Sequence, residues 1–70
     1  MEEIQINFVY KEKVHEYTFT PEEEDWWYSF ESEGIVFDIH YCVDYNSISI
    51  YEIENNKRIE TGVTIIISYK

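Results

Sequence analysis

The sequence predicts an α+β domain: a small, mostly antiparallel sheet of about five strands in the order β-β-α-β-β-β, with one short helix. Three observations lead there. Five segments carry alternating or β-prone apolar residues. Between Phe19 and Ile35 the pattern gives way to helix-start signals. The links between neighbouring strands are short and polar, as hairpins require.

Residues 4–10, IQINFVY, place Ile4, Ile6, Phe8 and Tyr10 on one face of a half-buried strand. KEK at 11–13 is a polar turn. Residues 14–19 resume as a strand, with His15, Tyr17 and Phe19 on one face and Glu16 and Thr18 on the other. Together they predict a hairpin with a loop of three to five residues. Lysines at its tip and acids along its edge discourage edge-to-edge pairing.

Thr20 then offers a helix cap, Pro21 suits the first helical position, and Glu23 completes a capping box. Acids in that first turn meet the positive end of the helix dipole. Trp26, Trp27 and Phe30 form a narrow apolar stripe, and Gly34 is the C-terminal stop. A rival reading exists. Trp26, Tyr28 and Phe30 also alternate, and with 26–31 as a strand the domain becomes an all-β partial barrel.

Residues 35–43, IVFDIHYCV, are the clearest strand, with Ile35, Phe37, Ile39, Tyr41 and Val43 facing one way. Val36, Asp38, His40 and Cys42 face the other. DYNS is a turn. Residues 47–54 change phase: Ile48 and Ile50 set one face, Tyr51 and Ile53 the opposite one. A bulge near Ile50–Tyr51, or burial of both faces, reconciles them. NNKRIETG reads as a polar connection, and residues 63–69 close the chain as a strand. Val9, Val36, Tyr51, Ile53 and Ile66 point to a second face that one helix cannot cover, which predicts a curled sheet or a dimer.

Seventy residues make a single domain spanning 1–70. Aromatics at 19% and hydrophobics at 44% give it the means to build a core, unlike a disordered chain. No signal-peptide pattern, N-x-S/T sequon or apolar run of membrane length is present. The one cysteine, Cys42, forms no internal disulfide, so the expected location is the cytoplasm.

The formal net charge is −10, and residues 14–56 hold eleven acids without a lysine or arginine. Direct binding to nucleic acid or to an anionic membrane needs a basic footprint and is not expected. The basic surface of another protein is the expected partner, with a homodimer as a further possibility.

Asp38, His40, Cys42 and Asp44 are metal-competent types two residues apart along one strand. Such neighbours start about 6.5–7 Å apart, and the paired spacings of zinc sites are missing. The same separation argues against a Cys42–His40 nucleophile and base. His15 reads as a core-edge histidine with a satisfied hydrogen bond, or one paired with a glutamate. No catalytic, metal or cofactor site is predicted.

The residues expected to bind a partner are Glu22, Glu23, Glu24, Asp25, Trp26, Trp27, Glu31 and Glu33. Carboxylates over a convex surface imitate the phosphates of a nucleic acid, and a tryptophan at the margin supplies a hot spot. One tryptophan is expected to anchor the core and the other to lie at its edge. In size, charge and lack of disulfides the chain is similar in kind to small acidic inhibitors, such as toxin-neutralising immunity proteins and phage-encoded nucleic-acid mimics. That likeness is one of composition, without a shared motif. The expected function is a non-enzymatic module that occludes a basic site on a partner protein. The alternative is a structural or assembly module, a homodimer or small subunit without an inhibitory role.

Overall fold

Among the described residues, seven strands in two sheets take the place of the expected α+β arrangement. The structure, a computed structural model, describes residues 3–22, 25–42, 44 and 47–69. None of these residues is helical. The strands are β1 (Ile4–Tyr10), β2 (Lys13–Phe19), β3 (Asp25–Ser32), β4 (Ile35–Cys42), β5 (Ser47–Glu54), β6 (Lys57–Glu60) and β7 (Ile66–Tyr69). One sheet has the order β2-β1-β7 and the other β3-β4-β5-β6, with every pairing antiparallel. Their inner faces pack as a sandwich.

The helix expected after Thr20 is β3, paired residue for residue with β4 from Asp25↔Cys42 to Ser32↔Ile35. Cap and dipole signals are each worth about 1 kcal/mol. Burying a ring the size of phenylalanine is worth about 1.5–3 kcal/mol. The period-2 placement of Tyr28 and Phe30 gives two such rings to the interior: Phe30 stacks on Tyr17 at 4.3 Å and Tyr28 lies 4.6 Å from Phe19. Long-range packing therefore overrides the local helix signals.

Among the described residues, three hairpin turns are two residues long. Lys11–Glu12, Glu33–Gly34 and Asn55–Asn56 each supply two residues of positive φ, the mark of a type I′ turn. The three-to-five-residue loop expected at 11–13 is thus two residues. The polar link expected at 55–62 contains β6, because Asn55 and Asn56 tolerate the left-handed region and turn the chain back at once. No bulge interrupts β5: its register with β4 runs unbroken from Cys42↔Ser47 to Phe37↔Glu52. Tyr51 and Ile53 instead face outwards. Val43, expected on the inner face, lies outside the described residues.

Ile4, Ile6, Phe8 and Phe19 of the first sheet meet Phe37, Ile39, Tyr41 and Ile50 of the second to form the core. His15 is buried among them, stacked on Phe8 at 5.2 Å. Its Nε2 donates to the Tyr10 carbonyl at 3.2 Å, and its Nδ1 lies 2.8 Å from Ser32 Oγ. The partner is a serine across the sandwich, not a glutamate.

Contacts across the core fix the relative strand directions. Phe19, at the end of β2, meets Tyr28 and Tyr41, while Tyr10, at the end of β1, meets Phe37 and Glu52. Accordingly β1, β3 and β5 run the same way, and the three I′ turns gather at one end of a molecule 32 Å long. On one side β2 lies against β3. On the other, between β6 and β7, the closure is partial. Val63 and Ile65 pack on the core there, and Thr61 donates both its amide and its hydroxyl to the Ile50 carbonyl.

Candidate protein-binding surface

Strand parity and direction decide where the charges go. At the turn end, Lys11, Lys13 and Lys57 are balanced by Glu12, Glu33 and Glu54. Lys13 Nζ lies 3.5 Å from Glu33 Oε2. Lys11 Nζ lies 3.1 Å from Glu52 Oε2, and Tyr10 donates to Glu52 Oε1 at 2.6 Å. The Tyr10 hydrogen bond first, and that of Lys11 second, hold the Glu52 carboxyl below its ordinary range. The same hydrogen bonds to Glu52 push Tyr10 and Lys11 up.

The opposite end has no such balance. Glu3 precedes β1, Glu22 lies between β2 and β3, Asp25 opens β3 and Asp44 follows β4; all four are exposed. No lysine or arginine stands at this end among the described residues. Trp26 opens β3 beside them and is 51% exposed. Its parity is inward, opposite Tyr41, but it stands at the margin of the core. The Glu22 amide donates to the Tyr28 hydroxyl at 3.2 Å, which holds the acidic crossover against β3.

Of the residues expected to meet a partner, Glu22, Asp25 and Trp26 therefore share the acidic end. Trp27 and Glu31 lie on the outer face of the second sheet, and Glu33 is in the turn at the far end. Eight residues of strand separate Asp25 from Glu33, about 26 Å. Glu23 and Glu24 lie outside the described residues. The set runs along the edge strand β3 and is not one cluster. Glu3 and Asp44 join Glu22 and Asp25 through the fold. Their position just outside strand ends would have placed them, once residues 25–32 were read as a strand.

Neither tryptophan anchors the core. Trp27 lies across the outer face, stacked on His40 at 4.6 Å, 5.6 Å from Tyr51 and 3.8 Å beneath the Arg58 guanidinium. Arg58 Nε donates to Asp38 Oδ2 at 2.9 Å, and Ser29 Oγ donates to Asp38 Oδ1 at 2.6 Å. His40 Nε2 contacts Asp25 Oδ1. Four strands thus contribute to one polar cluster, in which the Arg58 guanidinium offsets the Asp38 carboxylate. Asp38 and His40 are engaged in it, while Cys42 is buried. Among the described residues no group of three His, Cys, Asp or Glu side chains is close enough to hold a metal ion.

The surplus apolar residues separate onto opposite sides. Val9 and Ile66 lie on the outer face of the first sheet, where an open hollow of about 580 Å³ is also lined by Asn7, Phe8, Val14 and Thr64. Val36, Tyr51 and Ile53 lie on the outer face of the second. Among the described residues no helix is long and apolar enough to cross a membrane. No protein-family model, curated protein or solved structure matches the chain.

Proposed function

We propose that the chain is a non-enzymatic binding module of a reducing compartment, the cytoplasm, that covers a basic site on another protein with its acidic end. The observation carrying this is the lengthwise separation of charge. Lys11, Lys13, Lys57 and Arg58 stand at or next to the turn end, and Glu3, Glu22, Asp25 and Asp44 stand at the other, where no lysine or arginine is found among the described residues. Trp26 among those acids offers a rigid apolar anchor of the kind that centres hot spots. Self-repulsion of gathered carboxylates opposes folding, and a cationic partner relieves it.

The test is capture of partners from the native host on the immobilised chain at about 50 mM salt, elution at about 500 mM, and titration of the identified partner across that range. Affinity is expected to fall steeply as salt rises. A partner whose affinity ignores salt would rule out the electrostatic reading.

A further inference from the structure

We infer that β7 is a self-association edge, through which two copies of this chain join their first sheets into one six-stranded sheet in the order β2-β1-β7-β7-β1-β2. Three observations meet at this strand. The first is exposure of side chains that point into the sandwich. Ile67 and Tyr69 stand opposite the buried Ile6 and Ile4, yet are 37% and 53% exposed. Ile59, on the inner face of β6 across the same opening, is 43% exposed. Inner-facing apolar groups in this state need cover that their own chain does not supply.

The second is charge. Of the four sheet edges, β2 carries Lys13 and Glu16, β3 carries Asp25 and Glu31, and β6 carries Lys57, Arg58 and Glu60. Edges so charged resist strand addition. The residues of β7, Ile66, Ile67, Ser68 and Tyr69, are uncharged. Of the four edges, β7 is therefore the one at which two molecules of net charge −10 pair strand to strand with the least repulsion. A basic partner is matched by the acidic end instead.

The third is self-complementarity. An antiparallel pair centred on Ser68 places Ile67 opposite Tyr69 of the second copy, and Tyr69 opposite its Ile67. That is a β-branched and aromatic pair on each side of a two-fold axis. The inner faces stay continuous, because directly opposite residues share a face. At the usual strand spacing the two β1 strands lie about 14 Å apart. The acids flanking them are then beyond the screening length of about 8 Å at physiological salt. The interface falls in the small class, below about 1,200 Å² in total.

Sedimentation equilibrium from about 1 µM to about 500 µM tests this. The wild-type mass is expected to rise from one chain to two, and the dimer to tighten as salt screens the repulsion between copies. Ser68→Glu sets two carboxylates face to face on an outward position, and Ile67→Lys puts a charge on the inward row. Each is expected to weaken the dimer at least tenfold, with the melting transition of Ser68→Glu kept. Val14→Lys, on the far edge strand, is expected to leave the dimer unchanged. A monomer throughout, a dimer that survives both β7 variants, loss in Val14→Lys alone, or weakening by salt would each overturn the inference. The salt response is opposite in sign to that of partner binding at the acidic end, so the two readings fail separately.

Discussion

Tyr10 donates its phenolic hydroxyl to Glu52 Oε1 at 2.6 Å, tying β1 of one sheet to β5 of the other. Lys11 holds the second carboxylate oxygen. Because the folded state depresses the Glu52 pKa, this contribution is present above the unfolded value near 4.5 and is lost as pH falls through the lowered folded one. Tyr10 is raised above 10.0, so its contribution is present below that value and is lost as pH climbs through the raised one. Tyr10→Phe is expected to cost about 1 kcal/mol at neutral pH. Urea melts at several pH values check it: the gap between wild type and Tyr10→Phe should close in strong acid and stay open at pH 7.

His15 gives a second measure of how the sheets are joined. Ser32→Ala leaves His15 Nδ1 buried without its partner, at an expected cost of about 1–3 kcal/mol. His15→Ala adds a cavity beside Phe8 and Phe37, at about 2–5 kcal/mol. Thermal melts of both variants should preserve that order. Equal midpoints for Ser32→Ala and wild type would mean that the serine contributes nothing.

The Lys11–Glu12 turn holds two ordinary residues at φ 53° and 66°. Left-handed backbone costs such residues about 1–2 kcal/mol each, and glycine escapes this at some loss of chain entropy. Glu12→Gly is expected to stabilise the domain by about 0.5–1 kcal/mol, raising the melting midpoint by roughly 2–8 °C. A lowered midpoint would contradict the type I′ assignment.

Arg58 acts on the outer face as a plane and not as a point charge. It covers Trp27 while bonding Asp38. Arg58→Ala is expected to cost about 1 kcal/mol. Arg58→Lys should recover less than half of it, because an ammonium lacks the planar fork. Full recovery in the lysine variant, measured by thermal melts with Trp fluorescence, would reduce the contact to charge alone.

Inner-face parity was legible in the sequence for β1, β2 and β4: Ile6, Tyr17 and Ile39 occupy the faces their alternation assigns. What misled was residues 20–32. Thr20, Pro21 and Glu23 are local signals, whereas the pairing of Tyr28 with Ile39 and its packing on Phe19 depend on segments distant in sequence. The hairpin at Lys11–Glu12 lacked the asparagine or glycine that announces a two-residue turn. The acidic end was half legible. Glu22 and Asp25 stood out as a run, but Glu3 and Asp44 join them only because β1 starts and β4 ends at the same place. Glu31 and Glu33 looked adjacent to the run under a helical rise of about 1.5 Å per residue and are carried away by a strand's rise of about 3.3 Å.

The most direct measurement compares two variants of equal net charge against the partner captured from the host. One neutralises the acidic end, Glu3→Gln with Glu22→Gln and Asp44→Asn. The other neutralises the turn end, Glu12→Gln with Glu33→Gln and Glu54→Gln. Calorimetric titration should show the first losing at least tenfold in affinity and the second staying within about twofold of wild type, a difference of about 1 kcal/mol or more. Equal losses in the two variants would mean that overall charge governs binding, and the acidic end would then have no special part in it.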